Sequence, residues 1–285
     1  MKSIHSKFLL PLAVAATLFS CSGSGNSAES ETPAADTTAV VADTMNEMTE
    51  FKYQKLVADI PMGGDLTKGI GESGIAYNKS VLNNTENVSK YQTSLKKGLN
   101  YGVYGADFAY TVAYKKAIDA FDYFTTSRKL ADDLGSSKIF EEFATGSAIE
   151  KTNFSQENMD KSLGMMFDAM DKYLVSNKRL EEATVITTGA WMESQFILLE
   201  MLKGKTKDAK NGLLFERLWE QKLHISNING LLMEYKNNAD ITALQADLAP
   251  YFSAYDKITG PQDITPENIK MLSEILTPIR KKITE

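Results

Sequence analysis

Asp107 and Glu193 each stand in a stretch almost empty of other charge, and an acid isolated among apolar residues is where acid–base chemistry can be built. Between Gly98 and Tyr114, GLNYGVYGADFAYTVAY, Asp107 is the sole charged residue. From Ala183 to Leu202, ATVITTGAWMESQFILLEML, only Glu193 and Glu200 carry charge. Burial raises the pKa of a carboxyl and can poise it as a general acid or base. Together with Tyr104, Tyr110 and Trp191, the two acids could line a polar pocket for a small ligand. The same five residues could instead form a buried hydrogen-bonded network, with tyrosine hydroxyls and a Lys or Arg as partners. Large helical cores commonly contain such networks, and the sequence favours that structural reading.

Other chemistries are narrowed by counting. The chain has two histidines, and His5 falls within the first twenty residues, leaving His224. One imidazole cannot supply two Glu-x-x-His motifs of a di-iron bundle, nor a zinc site with several histidines. His224 lies in the helical pattern FERLWEQKLHISNI with no nucleophile elbow beside it, and reads as structural. Met165, Met166, Met170 and Met192 could suggest a soft-metal site, but flexible thioethers more commonly fill gaps between helices. GIGESG, Gly69 to Gly74, spells a dinucleotide-binding string without the strand that the fingerprint requires. Gly204-Lys205-Thr206 lacks the first glycine of a P-loop, since Leu199 occupies its place. No cofactor or metal is expected.

Cys21 is the single cysteine, so the chain can form no internal disulfide and no thiolate metal site. It closes an N-terminal segment with Lys2 and Lys7 in front of the apolar run Phe8 to Phe19, too short to span a bilayer. Leu18-Phe19-Ser20-Cys21 resembles the bacterial lipobox, in which the cysteine is acylated and becomes the new N-terminus. Residues 1–20 are thus read as a lipoprotein signal peptide, Cys21 as the lipidation site, and 21–48 as a flexible tether poor in apolar residues. Asp36-Thr37-Thr38 and Asp43-Thr44-Met45 resemble short O-glycosylation acceptors of exported Bacteroidota proteins. Without residues 1–20, 29 Lys and Arg face 37 Asp and Glu, a net charge of −8 that argues against nucleic acid as a partner.

The elements that must position Asp107 and Glu193 lie in 49–285, and their apolar residues recur at threes and fours. Met159, Leu163, Met166, Met170 and Tyr173 share one helical face. Leu214, Leu218, Ile225, Ile228, Leu232 and Tyr235 share another, with Gln221 as its polar intruder. Ile269, Leu272, Leu276, Ile279 and Ile283 make the seam of a last helix. Thr85-Glu86, Ser155-Gln156-Glu157 and Thr265-Pro266-Glu267 read as helix starts; Gly135, Gly204 and Gly260 read as stops. Pro250 and Pro278 should kink or restart helices. AYKKAIDAFDYF has the look of one tetratricopeptide helix, but no repeat follows it. The expectation is an all-α, multi-helix bundle of roughly seven to nine helices, with the two nearly uncharged stretches as neighbouring central helices. Gly98, Gly102, Gly105 and Ala109, with Gly189-Ala190, would let them approach closely.

The run NKSVLNNTENVSKYQTSLKKGLNYGVYGADFAY, followed by SRKLADDLG, resembles an uncharacterised family of helical, lipid-anchored envelope lipoproteins of Bacteroidota. The resemblance covers most of the chain after the tether and implies no catalytic residue. The first acid after Cys21 is Glu29, which points to an outer-membrane lipoprotein facing the periplasm. Three functions fit. The leading one is an interaction or scaffold module that meets the membrane through its anchor and an envelope protein through its helical body. The second is a small-ligand-binding bundle, and the third a carboxylate-based enzyme.

Overall fold

A computed structural model describes residues 49–61, 65, 69–140 and 155–285. Residues 1–48, on which the expected signal peptide and tether, Cys21, Thr37 and Thr44 fall, lie outside the described residues. The protein is all-α, and the described residues contain no strand. Residues 49–57 form helix α1. Seven longer helices follow: α2 Ser94–Ala113, α3 Ala117–Asp133, α4 Gln156–Ser176, α5 Leu180–Leu202, α6 Gly212–Met233, α7 Ala239–Tyr255 and α8 Pro266–Thr284.

Local chemistry sets most of these boundaries. Thr93, Ser155 and Thr265 cap α2, α4 and α8, each hydroxyl accepting from the backbone N–H three residues on. Gly135 and Gly204 follow α3 and α5 in left-handed conformation, both at φ 69°, where side chains are strained. Gly260 is different. Its φ is −158°, and α7 has already ended at Tyr255, so it opens a short 3-10 turn rather than stopping a helix. Thr85–Lys90 is likewise a 3-10 segment, capped by Asn84, instead of an α-helix. Both α7 and α8 run through Pro250 and Pro278 without a break. Each proline lies on an exposed side, as do Ala246 and Glu274 four residues earlier, so the carbonyls that lose their N–H partners face water.

The centre is the pair α2–α5. Gly98 meets Val185, Gly102 meets the backbone of Ile186, Gly189 and Ala190, and Gly189 meets Leu99, so the two helices run in the same direction. A Cβ on Gly102 would lie 2.1 Å from the Ile186 carbonyl oxygen, and one on Gly189 would lie 2.1 Å from that of Leu99. These two glycines permit backbone contact that no larger residue could. Gly105 serves another neighbour, facing Phe167 and Met166 of α4. The α8 seam of Ile269, Leu272, Leu276, Ile279 and Ile283 is fully buried. Its last carbonyls are held by Lys96, Asn100, Tyr91 and Asn87, which supply donors that the helix end lacks.

Candidate functional site

The five residues singled out by composition divide between two places. Glu193 and Trp191 are two positions apart on α5, about 200° around the helix, and therefore face opposite sides. Asp107, Glu193 and Tyr104 join a closed polar network, whereas Trp191 and Tyr110 line a cavity.

In the network, Glu193 has no exposed surface and grips Arg280 of α8 at two points, Oε1 to Nη2 at 2.5 Å and Oε2 to Nε at 2.7 Å. Burial works against the charge of Arg280, but the carboxylate outweighs it and raises the guanidinium pKa above its ordinary value. The same guanidinium lies over the Phe196 ring, 4.1 Å from its centroid. Asp107 is equally shut off from water, and its Oδ2 accepts the Asn83 backbone N–H at 3.1 Å. Its Oδ1 receives no donor, and two ionised carboxylates cannot bond to each other. Burial first, then the charge of Glu193, push the Asp107 pKa well above the ordinary carboxylate range. A proton on Asp107 resolves both facts, giving an acid that donates to Glu193 while Glu193 holds Arg280.

This network fastens one loop. Arg280 donates to the Val81 carbonyl, Tyr123 to that of Asn83 and Tyr104 to that of Asn84. The Asn83 side chain, 3 % exposed, bonds Tyr91 and accepts from Asn87. With its bonds closed inward, the network is built to hold Val81–Asn84 against α2, α3, α5 and α8. Removing Arg280 alone would strand a buried carboxylate, at a cost of roughly 3–5 kcal/mol. The sequence anticipated a basic partner but could not choose it. Arg280 follows Leu276 by four, beside the apolar seam, and that position was the available signal.

The cavity, about 300 Å³, lies between α2, α5, α6 and residues 58–61, 65 and 70. Trp191, Ser194, Gln195 and Leu198 come from α5, Leu214, Arg217 and Gln221 from α6, and Ala106 and Tyr110 from α2. Trp191 donates through Nε1 to Gln221 Oε1 at 3.1 Å, and that oxygen also bonds His224 Nδ1 at 2.9 Å. Because a carboxamide oxygen only accepts, the His224 proton sits on Nδ1. Burial lowers the His224 pKa, which keeps the ring neutral and structural. The Trp191 ring packs edge-on against Tyr251. Tyr110 accepts the Asn78 N–H at 3.0 Å and stacks on Tyr77. Gln221 was visible in the sequence as an interruption of an apolar face; Gln195 and Arg217, one turn away on facing helices, gave no separate signal.

No family model, curated protein or solved structure matches the chain. The chemistry of the two places is what bears on function. Among the described residues, no group of three or more His, Cys, Asp or Glu side chains could hold a metal ion, and no helix is long and apolar enough to cross a membrane. Met166, Met170 and Met192 are buried in the core. Gly69 to Gly74 forms turns in which Gly69 packs on Leu213, at the cavity edge.

Proposed function

We propose that this chain is a lipid-anchored helical binding protein of the cell envelope, which takes one small molecule into the cavity between α2, α5 and α6. The observation that carries the reading is the cavity itself. Its volume of about 300 Å³ suits a compact ligand, and its wall mixes apolar side chains with a few polar groups. The anchor rests on the lipobox-like Leu18–Cys21 and on the resemblance to envelope lipoproteins. A carboxylate-based reaction would need Asp107 and Glu193 to meet substrate, and neither lines the cavity. A scaffold role would be favoured by a contiguous apolar surface. Among the described residues, the exposed large apolar ones are instead Phe51 on α1, Ile118 on α3, and Leu213, Leu223 and Met233 on α6. Those on α6 are ten residues apart, so each is turned by about 80° from the last around the helix, and they form no single patch.

The test is titration of the full chain with the neutral, environment-sensitive dye prodan. A saturable blue shift in the parent is expected, and its loss in Ser194→Phe, whose ring would fill the cavity. A Ser194→Phe melting temperature at or above the parent's would show an intact fold. Equal binding by both proteins, or no saturable binding, would refute the reading.

A further inference from the structure

Two side chains on the cavity wall have hydrogen-bonding atoms that no described residue satisfies. Gln195 is 2 % exposed, and its Oε1 is buried without a donor. Arg217 gives Nη1 to the Asp65 carbonyl at 2.6 Å, but its Nε is buried without an acceptor. A buried orphan of either kind destabilises the fold, and natural cores leave few of them. The two side chains that carry this acceptor and this donor line the same cavity.

Their relative placement follows from helix register. Residues 203–211 turn the chain back, so that α6 returns beside α5, with Trp191 bonded to Gln221. Four residues toward that turn on each helix lie Gln195 and Arg217. They face each other one helical turn from the Trp191–Gln221 bond. Gln195 Oε1 can only accept and Arg217 Nε can only donate.

We infer that the cavity's ligand is a compact, uncharged amide, its N–H given to Gln195 and its carbonyl held by Arg217, with an apolar body against Leu198, Met201 and Leu214. The inference rests on the cavity being the ligand site. An amide offers one donor and one acceptor on adjacent atoms in a plane, which matches a pair of complementary partners on opposite walls. A carboxylate would leave Gln195 Oε1 unsatisfied and would meet Asp59, Asp65 and Glu220, which among the described residues lining the cavity stand against a single cation, Arg217. An ammonium would leave Arg217 Nε unsatisfied and sit beside its charge. Both mismatches strand a buried polar group, which is how a polar site rejects a near-isostere.

The experiment is displacement of prodan from the full chain by hydrocinnamamide, hydrocinnamate and methyl hydrocinnamate, which share one apolar body and of which only the amide has an N–H to donate. The amide should bind roughly tenfold or more tightly than either analogue, the worth of one hydrogen bond to a charged or buried partner. Gln195→Leu and Arg217→Met should each erase that preference. Gln195→Leu, which removes an orphan acceptor, should melt no lower than the parent, so the loss would not be unfolding. If the acid or the ester matches the amide, if the preference survives both substitutions, or if none of the three displaces bound dye, the ligand class is wrong and the cavity reading stands. If the dye itself does not bind, both fall.

Discussion

Replacing Asp107 with asparagine should separate the protonated acid inferred for the native protein from an ordinary ionised one. The carboxamide has the shape of a protonated carboxyl: its oxygen can accept the Asn83 N–H and its nitrogen can donate to Glu193. At pH 4, Asp107→Asn should therefore match the parent to within about 1 kcal/mol. As pH rises above about 3.9, the unfolded chain loses this proton while the native protein keeps it, because the native pKa is raised. In that window the native state binds more protons than the unfolded state, so the contribution of Asp107 to stability falls with pH. The slope is about 1.4 kcal/mol per pH unit until the native pKa is reached. Asparagine carries no such proton, so the variant should gain on the parent by that slope and be the more stable of the two at pH 7. Asp107→Ala leaves the Asn83 N–H unsatisfied and a small void, at about 2–4 kcal/mol. The assay is urea unfolding of the three proteins at intervals from pH 4 to 8, and the other titrating groups largely cancel in the difference between variant and parent. A difference between asparagine and parent that does not change with pH, or an asparagine variant as weak as the alanine one, would refute the protonated acid.

Gly102→Ala and Gly189→Ala each place a methyl 2.1 Å from a backbone oxygen of the facing helix, which cannot swing aside. Thermal melts should show losses of about 3 kcal/mol or more for each, or no folded protein. Gly164→Ala in α4, with nothing within 4 Å of its new methyl, should gain up to about 1 kcal/mol from helix propensity; equal melting of all three would mean that α2 and α5 are not in backbone contact. Mass spectrometry of the membrane-extracted protein should find an acylated cysteine at Cys21 as the N-terminus. A Cys21→Ser protein that is still processed normally and retained on the membrane would exclude the anchor.

The helical class and the α2–α5 pairing were legible in the sequence because both rest on one-dimensional signals. Apolar residues at threes and fours define a face, and glycines a turn apart in a nearly uncharged stretch mark where two backbones meet. The caps at Ser155 and Thr265 were legible for the same reason, since a cap is a contact between near neighbours. That α7 and α8 continue through Pro250 and Pro278 was not legible, because whether a helix carries on past a proline depends on whether the carbonyl left behind faces water, a tertiary fact. The grouping of Tyr104, Asp107, Tyr110, Trp191 and Glu193 failed for a geometric reason. It followed shared composition along two helices, whereas Glu193 and Trp191 point to opposite sides of α5. Arg280, 87 residues beyond Glu193, completes the ion pair through a contact that no local pattern encodes. Gln195 and Arg217 were silent for a related reason: a polar residue in an apolar stretch reads as a tolerated exception until the register of two facing helices shows two exceptions opposite one another. What marks such residues is an unmet hydrogen bond, and an unmet bond can be seen only when every neighbour is in place.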